Sequence, residues 1–309
     1  MTNQGAVSQR TAWVLLAAVV VFWGVNWPVM KYGLQYVPPL TFATLRMAMG
    51  AVVLALVAGW RGELKVPHRE DLPLVFGVGL LQMAAFMGLV NVGLQYVPAG
   101  RSAILAYTTP LWVVPLAVLL LGESLTRLRV LGLVLGLGGV AVLFNPLGFD
   151  WHDPHVVLGN GLLLFAALLW ALLIVKVRGH RWTGSPLSLM PWQLLVAILA
   201  MLPFVYFFEG DNAIHWGAPL AWVLVYNGPI ATAFCFWAMI SVTRALPAIT
   251  TSLSTLCVPL VGYVTAVLVL GEAVSLTNAV GFALILGGLV FASLSDWKKS
   301  QELKHAQAA

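Results

Sequence analysis

The sequence predicts an all-α integral membrane protein whose ten transmembrane helices form two inverted five-helix repeats. Three observations carry that expectation. Of 309 residues, 61% are hydrophobic and only 9% charged, whereas a soluble domain has about a quarter of its residues charged; lipid must cover the difference. The charges are bunched into short stretches between long apolar runs. Finally, the chain repeats itself at long range.

A hydrocarbon core about 30 Å thick needs roughly twenty apolar residues in a helix. That ruler finds spans at 12–32, 39–59, 72–94, 99–121, 128–144, 156–177, 187–208, 217–242, 248–270 and 275–295. Short connections rich in Pro, Gly or charge separate them, as in Tyr36-Val37-Pro38-Pro39 and Asn145-Pro146-Leu147-Gly148. The first run follows Arg10 but is too long for a signal peptide and lacks a small-residue cleavage site, so it is read as a retained span. No soluble domain fits between the spans, which places function in the helices and their loops.

Basic residues near span ends stay in the cytoplasm. With the amino terminus inside, thirteen lysines and arginines, from Arg10 to Lys304, fall on the cytoplasmic side and only Lys31 and Arg101 on the other, Arg46 lying within a span. Both termini are therefore expected in the cytoplasm. The net charge of +5 forms no single patch, which argues against a nucleic-acid partner. Cys235 and Cys257 sit in apolar runs and behave there as small hydrophobes. Neither a metal site, a cofactor nor a catalytic residue is expected.

At an offset of 149, residues 98–142 align without a gap on 247–291. Pro110 meets Pro259, Gly122-Glu123 meets Gly271-Glu272, and Gly138-Gly139 meets Gly287-Gly288. Upstream, at an offset of 147, Trp23 meets Trp170, Lys31 meets Arg178 and Pro39-Leu40 meets Pro186-Leu187. Hydrophobicity alone does not align prolines, glycines and charges. The repeats are placed at 12–144 and 156–295, with 296–309 as a cytoplasmic tail. Five helices is an odd number, so the second copy enters the bilayer from the opposite face. Inverted repeats give many transporters two related states around a site near the midplane.

The segments PLWVVPLAVLLLGESLT (110–126) and PLVGYVTAVLVLGEAVSL (259–276), each followed by a helix containing Gly-Gly, resemble the paired EamA domains of the drug/metabolite transporter superfamily. Within it the chain is similar to the YddG-type exporters of aromatic amino acids. The resemblance covers about residues 12–295. It implies the EamA fold, an inner-membrane location, and a central cavity lined by the first, third, fourth, sixth, eighth and ninth helices.

Polar and aromatic groups inside spans supply the candidate substrate contacts, because a polar group in hydrocarbon is costly without a partner. Trp23 and Asn26 share a face of the first helix, and Trp170 is the repeat equivalent of Trp23; each tryptophan serves either as a cavity wall or as a helix contact. Gln82 and Phe86 share a face of the third helix, while Asn91 is assigned a helix–helix hydrogen bond. Tyr226 and Trp237 form an aromatic stripe on the eighth helix, which also suits packing. Ser252 and Thr255 lie on one face of the ninth helix, and Tyr107 adds a hydroxyl from the fourth. Pro110 and Pro259 each free a carbonyl and are assigned hinge roles. Arg46 either snorkels to the surface or meets a substrate carboxylate, and Glu123 and Glu272 are expected to fix loops. The glycines of the fifth and tenth helices suit close packing between those helices or against a second chain; monomer and homodimer both remain compatible.

An uncharged, aromatic-lined site suits an amino acid with an aromatic or branched side chain. A quaternary amine or nucleotide sugar is the alternative substrate. An embedded enzyme is the alternative class, but it would need a nucleophile and base within the spans. If the halves are inverted, single cysteines introduced beside Gly122 and beside Gly271 react with a membrane-impermeant maleimide from opposite faces; labelling from one face sinks the inversion.

Overall fold

The computed structural model describes residues 7–121, 126–144, 152–177, 183–210, 212–245, 257–273 and 275–308. Among the described residues there are ten helical rods. They are α1 (Gln9–Gly33), α2 (Pro39–Trp60), α3 (Arg69–Tyr96), α4 in two segments (Ala99–Ala106 and Thr109–Leu121) and α5 (Arg127–Phe144). The second half supplies α6 (Pro154–Val177), α7 (Pro186–Glu209), α8 (residues 218–245), α9 (Cys257–Leu270) and α10 (Leu276–Ala308). Among the described residues, six helices, α1, α2, α3, α6, α7 and α8, contain stretches long and apolar enough to cross a membrane. The stretch after residue 295 continues α10 as helix. Outward-facing Phe204, Tyr206, Phe207 and Phe208 crowd one end of α7, as aromatic side chains do at a lipid interface.

Prolines open α2, α6 and α7, where a missing N–H costs no helix bond. The remaining amides at several helix starts are closed by carboxylates from the opposite half. Glu209, at the end of α7, accepts from the amides of Leu40 (2.8 Å) and Thr41 (2.7 Å) and from the Thr41 hydroxyl (2.8 Å), capping α2. Glu272, just past α9, accepts from Ala99 N (2.5 Å) and Gly100 N (3.0 Å), capping α4. In return, Asp71 accepts from the amides of Thr183 (3.2 Å) and Gly184 (2.9 Å) and from the Thr183 hydroxyl, and Glu63 accepts from the hydroxyl of Ser185 (2.8 Å), the α7 N-cap. Glu272, expected to fix a loop, is thus a structural group that caps a helix start of the other half; Glu123 lies outside the described residues.

The helix contacts follow the repeat. α1 packs on α8 and α9 as α6 packs on α3 and α4, and α2 packs on α8 as α7 packs on α3. The pairs α2–α7, α4–α9 and α5–α10 each join equivalent helices. In the α5–α10 seam a Cβ added to Gly139 would lie 2.7 Å from the Gly281 carbonyl oxygen, and one added to Gly288 would lie 2.5 Å from that of Gly132. The two glycines are repeat equivalents, and so are the two carbonyls. The same doubling governs Gly79, whose Cβ would fall 2.7 Å from Gln193 O, and Gly228, whose Cβ would fall 2.5 Å from Met49 Cβ and 3.3 Å from Arg46 O. Gln193 is the equivalent of Arg46.

Both third helices depart from α geometry at matching places. α3 is π-helical over Val78–Phe86, and α8, which runs Ala218–Val225 and Cys235–Ala245 on either side, is π-helical over Tyr226–Phe234. The fourth span, expected as one run over 99–121, breaks at Tyr107-Thr108. Pro110 lacks the N–H that would bond Ala106, and the hydroxyls of Thr109 and Thr108 take the Ala106 (3.1 Å) and Leu105 (2.6 Å) carbonyls instead.

Replacing Gly288 with valine forces the α5–α10 seam apart and is expected to cost about 1–3 kcal/mol, read as a lower unfolding temperature in detergent. Gly138→Ala, with nothing within 4 Å of its Cβ position, leaves that temperature unchanged.

Candidate functional site

The predicted tryptophans form two mirrored pairs. Trp170 on α6 stands edge-on to Phe86, the last residue of the α3 π segment, with ring centroids 4.4 Å apart at 67°. Trp23 on α1 stands edge-on to Phe236 of α8, with centroids 5.4 Å apart, also at 67°. Each pair joins a first helix of one half to the third helix of the other, in the geometry that ring quadrupoles favour. Trp23, Trp170 and Trp237 pack against one buried cluster of both halves, and Trp170 also reaches the central cluster that Tyr107 flanks.

The π segments make this arrangement possible. A π turn leaves carbonyls outside the regular ladder, and buried carbonyls need partners. In α8 the Trp23 indole N–H donates to Ala231 O (2.9 Å), and the Thr232 hydroxyl donates to Asn227 O (2.7 Å). Tyr226 turns its hydroxyl to Phe22 O of α1 (2.8 Å), and Phe234 joins Phe22 to Trp237 in a chain of rings. Gln82 lies within the α3 π segment, partly buried. Asn26 is buried, and its Oδ1 has no partner among the described residues.

Several expectations need revision. Arg46 neither snorkels nor stands free: it is 2% exposed, its Nε and Nη2 donate to the Thr232 hydroxyl (3.3 and 3.2 Å), and Nη1 approaches Met30 Sδ at 2.9 Å. Burial of the guanidinium demands those contacts, which hold α2 to the π segment of α8. Asn91 bonds the Met87 carbonyl of its own helix (2.7 Å) rather than a neighbouring one, because the i−4 carbonyl is its nearest acceptor. The carbonyl that Pro110 releases is engaged by Thr109. Pro110 lies in the second segment of α4, and Pro259 is buried near the start of the described part of α9. Ser252 and Thr255 lie outside the described residues.

The repeat arithmetic did hold a signal for Phe236, since the equivalent of Phe86 falls within about two positions of it. Thr232 had none, because an α-helical wheel misplaces residues across a π segment. A pocket of about 580 Å³ opens at the end of the bundle, lined by residues including Gln35, Tyr36, Gln95, Tyr96, Glu209 and His215. None of the predicted site residues lines it.

Doubled helices with mirrored aromatic pairs where the halves meet define a class: a multi-pass membrane transporter. Comparison with known proteins agrees. The model of the EamA-like transporter family matches residues 11–145 and 157–294, and the chain belongs to that family. An uncharacterized transporter, YvbV, of Bacillus subtilis is 32% identical over 277 residues, covering 90% of this chain and 89% of its own. A "probable terminal-alkyne amino-acid exporter" of Streptantibioticus cattleyicolor is 28% identical over 284 residues, covering 91% and 92%. A crystal structure with a TM-score of 0.64 and 24% identity covers 93% of this chain and 98% of its own, and shares the fold.

Thr232→Val leaves two nitrogens of a buried guanidinium without a partner, so it is expected to cost about 1–3 kcal/mol. Adding Arg46→Met should recover part of that loss. Chemical or thermal unfolding of the two variants checks the order; a double variant less stable than Thr232→Val alone would show that the pair is not coupled in this way.

Proposed function

We propose that the protein exports small amphipathic metabolites, specifically amino acids with aromatic or hydrophobic side chains, across the inner membrane by alternating access, with both termini in the cytoplasm. The observation that supports this reading is the pair of mirrored Trp–Phe contacts, Trp23–Phe236 and Trp170–Phe86, uncharged aromatic groups where first and third helices of opposite halves meet. Such groups suit a side chain that is apolar and flat. A phosphate-bearing substrate would call for several cations, and Arg46 is already engaged. The name of the Streptantibioticus relative gives independent support for an amino-acid substrate.

On this reading the units that rock are residues 12–144 and 156–295, with Pro110 and Pro259 as hinges. Trp23, Asn26, Gln82, Phe86, Tyr107, Trp170, Tyr226 and Trp237 contact the substrate, together with Ser252 and Thr255. The substrate crosses unchanged, so no enzymatic step is involved. Aromatic walls also attract quaternary amines through cation–π contact, which is the second reading.

Counterflow in proteoliposomes separates the two. Purified protein is expected to exchange labelled tryptophan, phenylalanine or methionine, recovered chemically intact, and Trp170→Ala is expected to slow exchange about tenfold, the equivalent of ~1.4 kcal/mol. Flux of a quaternary amine or nucleotide sugar without flux of any amino acid overturns the assignment.

A further inference from the structure

Beyond Arg10 at the start of α1, three cations sit within helices α1, α2 and α4. Lys31 gives its ammonium to the carbonyls of Leu94 (2.6 Å), Gln95 (3.0 Å) and Val97 (3.0 Å), closing the end of α3. Arg46 is tied to Thr232 and Met30. Arg101, in the first turn of α4, differs: its Nε and Nη2 are buried and have no hydrogen-bond partner among the described residues. Glu272, the carboxylate bonded to the same turn, gives its oxygens to the Ala99 and Gly100 amides. The ion pair found among the described residues is Arg61–Glu63, far along the sequence.

The edge left open is informative. Nε and Nη2 together form the side of a guanidinium that receives a carboxylate through two parallel hydrogen bonds. Arg101 is partly buried, and two guanidinium nitrogens shut away without a partner are costly in a membrane protein and mark a functional position. Its neighbours in α4, Gly100 and Ala103, pack where α1, α4 and α9 converge. A Cβ on Gly100 would lie 2.8 Å from Tyr263 Cδ2, and one on Gly262 would lie 3.2 Å from both Ala103 Cβ and Trp27 Cδ1. The same two neighbouring helices carry further open groups: α9 the Tyr263 hydroxyl and α1 the Asn26 Oδ1, both buried and both without a partner among the described residues. A guanidinium and a phenol donate to a carboxylate, whereas a carboxamide oxygen accepts from an ammonium.

We infer that Arg101 binds the substrate carboxylate at the junction of α1, α4 and α9, and so selects carboxylate-bearing substrates over the corresponding amines. This rests on the amino-acid reading and deepens it. Tyr107, which flanks the central cluster, follows Arg101 by six residues, at the break between the two segments of α4.

The test uses the full chain in proteoliposomes and competition by L-tryptophan and by tryptamine, which share the ring and the amine. Wild-type protein is expected to favour tryptophan at least tenfold. Arg101→Gln should erase that preference by weakening tryptophan alone, and Arg101→Lys should retain part of it, which keeps the question open to measurement if the glutamine variant folds poorly. An unchanged preference in Arg101→Gln overturns the assignment. Equal loss for both compounds also overturns it, since Arg101 then serves the fold or a lipid phosphate. If wild-type protein recognises neither tryptophan nor any other amino acid, the proposed function fails instead, before Arg101 comes into question.

Discussion

A helix start has amides with no partner inside the helix, and where a neighbouring helix covers them they need a partner from the protein. Here the two halves answer that constraint for each other. Glu209 and Glu272 of the second half close α2 and α4, and Asp71 and Glu63 of the first half hold the start of α7. A carboxylate on exposed backbone amides makes strong, charge-assisted bonds and meets the positive end of the helix dipole. Neither half completes its own backbone accounting, so the halves are bound together by polar contacts at their ends and by close glycine packing along α5 and α10.

Between those ends the helices loosen. The two π segments and the break in α4 are the places where backbone carbonyls leave the regular ladder, and at α8 and α4 side chains meet them: Trp23 and Thr232 at α8, Thr108 and Thr109 at α4. The aromatic pairs rest on these irregular stretches. Irregular backbone at membrane depth persists where protein surrounds it, and both π segments lie against helices of the other half, α3 on α6 and α7, α8 on α1 and α2.

Much of this was legible beforehand. Hydropathy located ten spans, and the offsets near 149 and 147 anticipated which helices would be equivalent. The glycines of the fifth and tenth helices pointed to close packing, with each other or with a second chain, and in the structure Gly139 and Gly288 meet carbonyls across the α5–α10 seam. The pairing of Trp170 with Phe86 was half visible, since both residues had been singled out without being joined. What stayed hidden depends on the extra residue in a π turn. An angular count at 100° per residue presumes α geometry, so it gave no hint that Thr232 faces Arg46. Arg101 was hidden for another reason. Counted as a flanking charge, it looked solvated, and only packing reveals that two of its nitrogens are sealed from water.

The break in α4 has a mechanical consequence. At Tyr107-Thr108 the carbonyls that lose their ladder bonds are held by hydroxyls only three residues further along the same strand of backbone. Those bonds are local and travel with the chain. A bend at the joint leaves those two carbonyls with their partners, while Glu272 keeps the far end of the short first segment tied to α9.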